Sequence, residues 1–257
     1  MKKRVLFFAL PIMALLSFVS CGDNDEDTEK KDSFDVTVSG EIDNHSYVDL
    51  GLPSGIKWAT CNIGANNPRV EWLERYKFAF AWGETTCKTD SGWDSYKWGS
   101  DSQHLTKYIT EAHYGEVDYR TVLEPADDAA TANWGLHWRM PTKEEIQELI
   151  DGCNWEEEFV DDATGHYWIP TNEERQRAHE EWSKEYEEQE SPWKDWDING
   201  SIGTSKSNGN TIYIPMGEYW SSTTDGSHYA YLFIVEARPV LEMHHRNNRF
   251  LVRAVAK

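Results

Sequence analysis

The chain has 257 residues, of which 39% are hydrophobic and 13% aromatic, with 13 Trp. A chain this aromatic buries a sizeable core, which excludes wholesale disorder, and its length suits one large domain or two small ones. Lys and Arg number 25 against 45 Asp and Glu, for a net charge of −20, so phosphates would repel the surface and a nucleic-acid binder is excluded.

The N-terminus reads as an address. Lys2-Lys3-Arg4 precede an apolar run over 5–19 that is too short and too abruptly ended for a membrane span of about 20 residues. The pattern predicts a secretory signal over 1–20. The run ends in Phe18-Val19-Ser20-Cys21, which resembles a bacterial lipobox, where the signal is cut before the Cys and the thiol is acylated. Cys21 is therefore the expected lipidation site. The following Gly22-Asp23-Asn24-Asp25-Glu26-Asp27 resembles the acidic tag that sends Bacteroidetes lipoproteins to the outer face of the outer membrane. An acidic chain is repelled by anionic lipid, so the acyl group would supply the anchoring. Residues 21–33 are nearly all polar and are expected to form an acidic flexible tether.

From Phe34 the pattern changes. Phe34, Val36 and Val38 alternate with polar residues, which predicts a strand. Residues 47–55 then read as strand, turn, strand. Residues 64–120 lack sustained periodicity and predict long loops held by aromatic packing. Pro141-Thr142-Lys143-Glu144-Glu145 is a capping box, and Ile146, Leu149, Ile150 and Cys153 follow as one apolar stripe, so a helix starts at Thr142 and stops near Gly152. A second, acidic helix is expected over roughly 172–190, on the surface. Short strands are expected at 211–215, 218–223, 229–235, 240–244 and 249–255, with Asp225-Gly226 and Asn247-Asn248 as hairpin loops. The fold class is α+β: a loop-rich antiparallel sheet with one or two helices.

Several ordered strings carry a resemblance. They are Tyr47-Val48-Asp49-Leu50-Gly51-Leu52-Pro53-Ser54-Gly55, Trp58-Ala59-Thr60-Cys61-Asn62-Ile63-Gly64-Ala65, Phe80-Ala81-Trp82-Gly83-Glu84-Thr85, Asp127-Asp128-Ala129-Ala130, Trp134-Gly135, Trp138-Arg139-Met140-Pro141-Thr142, Tyr219-Trp220-Ser221-Ser222-Thr223 and Val252-Arg253-Ala254-Val255. Together they resemble the Fibrobacter succinogenes major paralogous domain family, abundant in Bacteroidetes lipoproteins. That family is similar to the C-type lectin-like fold, shared with the formylglycine-generating enzymes. The resemblance implies a C-type lectin-like domain over 34–257 whose termini lie close together. The acidic, Trp-rich stretch at about 173–197 departs from the family pattern and reads as an insertion.

The resemblance also frames the chemistry. Cys61 and Cys153 sit in family-like strings and are a candidate disulfide in an oxidising exterior; the alternative is three buried thiols, Cys87 included, acting as small hydrophobes. The paired C-terminal cysteines of the formylglycine-generating enzymes have no counterpart, because residues 154–257 contain no Cys. GxSxG, HExxH and GxGxxG are absent from the sequence. The chain is therefore expected not to be an enzyme. No cofactor is called for, with calcium the one candidate, at Asp127 and Asp128, since C-type lectins often hold calcium through loop carboxylates. The plainer role of those residues is to cap a short helix over Ala129–Trp134. His244 and His245 would point to opposite faces of a strand and chelate poorly. A ligand face is expected on the late strands at Tyr229, Tyr231, Glu242, His244, Arg246 and Asn247, where aromatic faces beside hydrogen-bonding groups suit a glycan or a protein loop. The reading is a non-enzymatic, outer-membrane, outward-facing binding or adhesion module. Its rivals are a structural subunit docking through Trp182, Trp193 and Trp196, and an enzyme of unknown reaction on the same scaffold.

Overall fold

The computed structural model describes residues 36–69, 76–161, 166–171, 173–174, 176, 196–236 and 238–257. The signal, Cys21, the tether, Trp182 and Trp193 lie outside the described residues. No described helix is long and apolar enough to cross a membrane.

β1 (Gly40–Ile42) and β2 (His45–Val48) form a hairpin through Asp43-Asn44, both with positive φ (50° and 64°), the backbone that a two-residue primed turn requires. β3 (Lys57–Asn62) follows. After it come β4 (Phe80–Ala81), β5 (Gly99–Asp101), β6 (His104–Leu105), α1 (Ala129–Trp134) and β7 (Trp138–Arg139). Then come α2 (Lys143–Gly152), β8 (Cys153–Asp161), β9 (His166–Trp168), β10 (Trp196–Ser205) and β11 (Thr211–Pro215). The C-terminal strands are β12 (Gly217–Thr224), β13 (Tyr229–Val235), β14 (Val240–His245), β15 (Arg249–Phe250) and β16 (Arg253–Ala256). The class is α+β and rich in sheet, with two helices described in full.

The strand ladders are antiparallel. They form a five-stranded sheet β1-β2-β3-β16-β7, a four-stranded sheet β11-β10-β8-β9, a three-stranded sheet β12-β13-β14 and two small pairs, β15-β4 and β5-β6. The C-terminal strand thus pairs with β3 and closes the domain beside its first strands.

Two apolar clusters make the core. One gathers Trp82, Tyr108, Trp138, Trp220, Leu232 and Ala254, and the other Val48, Trp58, Ile146, Leu149, Phe233 and Val255. β13 feeds both: Ala230 and Leu232 face the first cluster, Phe233 and Val235 the second. That is why its sequence runs apolar with little alternation. α2 packs on the second cluster, against β12, β13 and β14. Its capping box forms as the sequence predicts, with Thr142 accepting from the Glu145 amide and Glu145 accepting from that of Thr142. Ile146 and Leu149 are fully buried, each contributing about 1.5–3 kcal/mol. α1 is capped by Asp128, which accepts from the Thr131 amide at 2.9 Å.

Four expectations are corrected. Val36 and Val38 lie outside any strand; there the chain is held through Thr37, whose amide donates to the Thr211 carbonyl. The 249–255 strand is split, because Leu251 leaves the line to exchange backbone hydrogen bonds with β12, so that β15 joins β4 and β16 joins β3 and β7. Asn247-Asn248 is a turn between strands of different sheets, not a hairpin loop. Cys61 and Cys153 are free, as is Cys87. Cys153 is packed in the second cluster, whereas Cys61 belongs to neither cluster and its sulfur lies beside the Thr60 hydroxyl. In a Cys21→Ser variant, unfolding without reductant is expected to expose three reactive thiols in a colorimetric titration; a count of one would restore the bridge.

The expected acidic helix shows only its start. Thr171 and Glu174 exchange side-chain-to-amide hydrogen bonds in a capping box, with Glu173, Glu174 and Gln176 helical. The remainder lies outside the described residues, and the far end of the stretch runs into β10 at Trp196.

Candidate ligand-binding surface

Four segments distant in sequence meet at one end of the β13–β14 ribbon: 92–96, 105–119, 225–229 and 244–248. The β12–β13 turn is shaped by Asp225, whose carboxylate accepts from the Ser227 amide (2.8 Å) and hydroxyl (2.7 Å), and by Gly226 at φ +89°. A Cβ on Gly226 would lie 2.1 Å from the Thr110 hydroxyl oxygen, so the loop over 105–119 can approach only a glycine. Two hydrogen bonds use that approach: the Thr110 amide donates to the Gly226 carbonyl (3.1 Å) and its hydroxyl to that of Asp225 (3.4 Å).

The same loop is shaped from within by Asp118. Its carboxylate accepts from the amides of Tyr108 (2.8 Å), Ile109 (3.0 Å) and Arg120 (3.0 Å). Burial alone would raise the Asp118 pKa, but these donors outweigh it and hold the carboxyl below its ordinary range. Arg246 pins the loop from below. Its guanidinium is fully buried, donates to the carbonyls of Lys107 (3.1 Å) and Tyr108 (2.7 Å), and lies 5.0 Å over the Trp82 ring.

On this base sits a chain of rings. Trp93 meets His245 edge-on at 6.3 Å. His245 stacks on His228 (centroids 5.0 Å, planes 20° apart) and lies 4.6 Å from Tyr229. His228 meets Tyr114 at 5.5 Å, and Tyr114 packs on His113 at 3.7 Å. Tyr114, His228, Tyr229 and His245 are each half-buried residues. Such a ledge offers flat apolar faces edged by nitrogens and hydroxyls, which suits stacking against a sugar ring or a protein side chain.

The structure redistributes the expected ligand set. Residues paired across an antiparallel ladder share a face, and neighbours alternate. Tyr229 pairs with His245 and Tyr231 with Met243, while Ala230 pairs with His244 and Leu232 with Glu242. The pleat therefore puts Tyr229 and Tyr231 on one face and Glu242 and His244 on the other, so the set does not form one site. Tyr229 belongs to the ledge. Tyr231 is drawn toward α2, where Lys143 Nζ lies 3.3 Å from its hydroxyl and 4.4 Å over its ring. Glu242 and His244 are exposed; the His244 ring lies 5.2 Å from Phe250 and its Nδ1 2.8 Å from Asn248 Nδ2. Arg246 and Asn247 leave the set because they are buried, at 0% and 8% exposure. His244 and His245 do point to opposite faces, as alternation predicts. Trp93, His113, Tyr114 and His228 were missed; they come from loops without periodicity, and only the Asp225-Gly226 turn beside His228 was readable.

Asp127 and Asp128 are engaged by protein donors. Asp127 accepts from Lys107 Nζ (2.5 Å), the Tyr108 hydroxyl (2.7 Å) and Lys97 Nζ (3.2 Å); against the upward pull of burial, these hold its pKa below the ordinary value. Asp128 accepts from the amides of Thr131 and Met140, both at 2.9 Å, yet burial dominates and its pKa is raised. Among the described residues, no group of three or more His, Cys, Asp or Glu is placed to hold a metal ion. A cleft of about 120 Å³ lies beside Val122, Leu123, Asp128, Arg139 and Met140. It falls below the roughly 300–1,000 Å³ of small-molecule sites, and its Arg139 is committed to Glu145 at 2.7 Å. The ring ledge is therefore the stronger candidate.

No protein-family model, curated protein or solved structure matches the chain.

Proposed function

We propose that this protein is a non-enzymatic binding module, held by an acyl group on Cys21 at the outer face of an outer membrane, and that it captures a glycan or protein ligand on the ring ledge. The observation that carries the reading is the convergence of Trp93, Tyr114, His228, Tyr229 and His245 from four segments into one contiguous, partly open aromatic surface. A C-type lectin-like architecture is supported by the pairing of β16 with β3, by the helix that starts after Trp138-Arg139-Met140-Pro141-Thr142, and by the loop-rich antiparallel sheets. Calcium is not called on, since Asp127 and Asp128 already receive lysine, tyrosine and amide donors.

The test is an array of glycans and surface proteins probed with the chain from residue 22 onward, with and without chelator. Tyr229→Ala and His245→Ala are each expected to weaken capture by about tenfold or more, since a stacked ring contributes roughly 1–2 kcal/mol at an interface. Capture is expected to survive chelation. Wild-type affinity in both variants would overturn the assignment of the ledge.

A further inference from the structure

The ledge contains a feature that binding alone does not require. The Nδ1 atoms of both His228 and His245 are buried and have no hydrogen-bond partner, and the two rings are stacked 5.0 Å apart. Resting on the reading of the ledge as the ligand face, we propose that this histidine stack is a pH-operated latch, whose protonation frees the 105–119 loop from the 225–228 turn and dismantles the binding face.

The chemistry follows from the geometry. A neutral imidazole protonated on Nε2 leaves a bare lone pair on Nδ1, which an apolar site tolerates. Protonation adds an N–H donor at a buried nitrogen with no acceptor in place, and a charge on a ring only partly open to water. A second proton then places two imidazolium rings face to face. The surrounding charges add to the cost. His228 faces His245 from β14, Arg246 from the turn beyond it, and His113 and Tyr114 from the 105–119 loop, with Asp225 of its own turn opposing. His245 faces His228 and Tyr229 from the β13 side, His244 from its own strand and Trp93 from the 93–95 turn. The other acids of these segments are Asp94 of the 93–95 turn and Glu111, Glu116 and Asp118 of the 105–119 loop; Glu111 lies 3.4 Å from His113, and Asp118 is engaged by the amides of Tyr108, Ile109 and Arg120. Burial, then these neighbours, hold both imidazoles below their ordinary value of 6.5. The sign is set by linkage. The open or unfolded form binds more protons once pH falls below about 6.5, so the closed form loses stability from there down to the lowered pKa values.

The stack is also mechanically placed. The His228 carbonyl accepts from the Arg246 amide (3.0 Å), the His228 ring carries Tyr114 of the loop, and Gly226 of the same turn accepts from Thr110. Displacing the stack therefore loosens the turn and the loop together.

The experiment is hydrogen–deuterium exchange of the purified, ligand-free protein in detergent at pH 7.5 and 5.0, corrected for intrinsic rates and read on peptides covering 105–119 and 225–232. Protection in both peptides is expected to fall about tenfold at pH 5.0 for each unit of lowered pKa. In His228→Phe/His245→Phe, which keeps two stacked rings without titratable nitrogens, it is expected to change less than about twofold. No loss in the wild type, or equal loss in the double variant, would overturn the latch. Should the double variant fail to fold, imidazole Cε1–H titration of the wild type decides: both residues titrating below 6.5 supports the latch, and both at or above 6.5 sinks it. Because no ligand is present, failure here leaves the ledge to be judged on the array, and failure on the array leaves the latch to be judged here.

Discussion

Replacing Arg246 with Met is expected to lower stability by about 3–5 kcal/mol, measured by urea unfolding followed through tryptophan fluorescence. The substitution keeps most of the apolar stem but removes both donors from the carbonyls of Lys107 and Tyr108, hydrogen bonds of 3.1 Å, part-buried, and 2.7 Å, buried. Hydrogen bonds to a charged donor are worth roughly 1.5–3 kcal/mol each, and the buried Tyr108 carbonyl would lose this donor. The contact with the Trp82 ring is lost as well. Arg246→Lys is expected to recover less than half of the loss, because an ammonium is a point charge and cannot span two carbonyls as the planar fork does. A loss under about 1 kcal/mol for Met would show that the 105–119 loop is held by other contacts. The Tyr108 backbone makes the loop dependent on such support, since its φ of 63° lies in a region that bulky residues rarely adopt.

Trp220→Ala is expected to cost about 3–5 kcal/mol, the range for deleting a large aromatic side chain from a close-packed interior. Trp220 is fully buried in the first cluster, its ring meets Phe250 edge-on at 4.9 Å, and its indole N–H donates to the Phe80 carbonyl at 2.8 Å. Alanine leaves a cavity and an unpaired carbonyl on β4, the strand that carries the chain into Trp82. A domain whose whole stability lies in the usual 5–15 kcal/mol range would lose a large part of it. Trp220→Phe is expected to retain about half of the difference, restoring volume but not the hydrogen bond. If alanine and phenylalanine prove equally mild, the Trp220 ring is not the packing centre that the geometry indicates.

Local signals were legible where one short stretch contains its whole cause. Thr142 and Glu145 cap α2 within four residues, and Ile146 and Leu149 mark its buried side. Asp128 caps α1 for the same reason. β11 and β13 have the expected ends because apolar runs bounded by turn residues need no distant information to be recognised. β8 was not among the expected strands, since Glu156, Glu157 and Glu158 interrupt any apolar alternation across it. The fold buries Glu158 completely against Arg69, at 2.7 Å, from a segment 89 residues away. No pattern within β8 announces that partner.

The candidate site divides in the same way. Tyr229 was readable as an aromatic on a late strand, and the alternation of His244 and His245 followed from strand geometry. The burial of Arg246 was not readable, because an isolated arginine after a strand looks like a solvent-facing charge until a loop more than a hundred residues earlier presents its carbonyls. The split of Tyr229 and Tyr231 from Glu242 and His244 needed the β13–β14 register, which pairing partners decide.

The amino-acid sequence alone determined the chain's acidity, its aromatic richness, both helix starts and the α+β, sheet-rich class, because composition, capping and short-range periodicity act over a few residues. Only the tertiary structure decided that three cysteines stay apart, that the last strand divides between two sheets, and that a tryptophan, two tyrosines and three histidines from four segments share one ledge. Those outcomes depend on contacts between residues far apart along the chain, and such contacts leave no periodic trace in either partner.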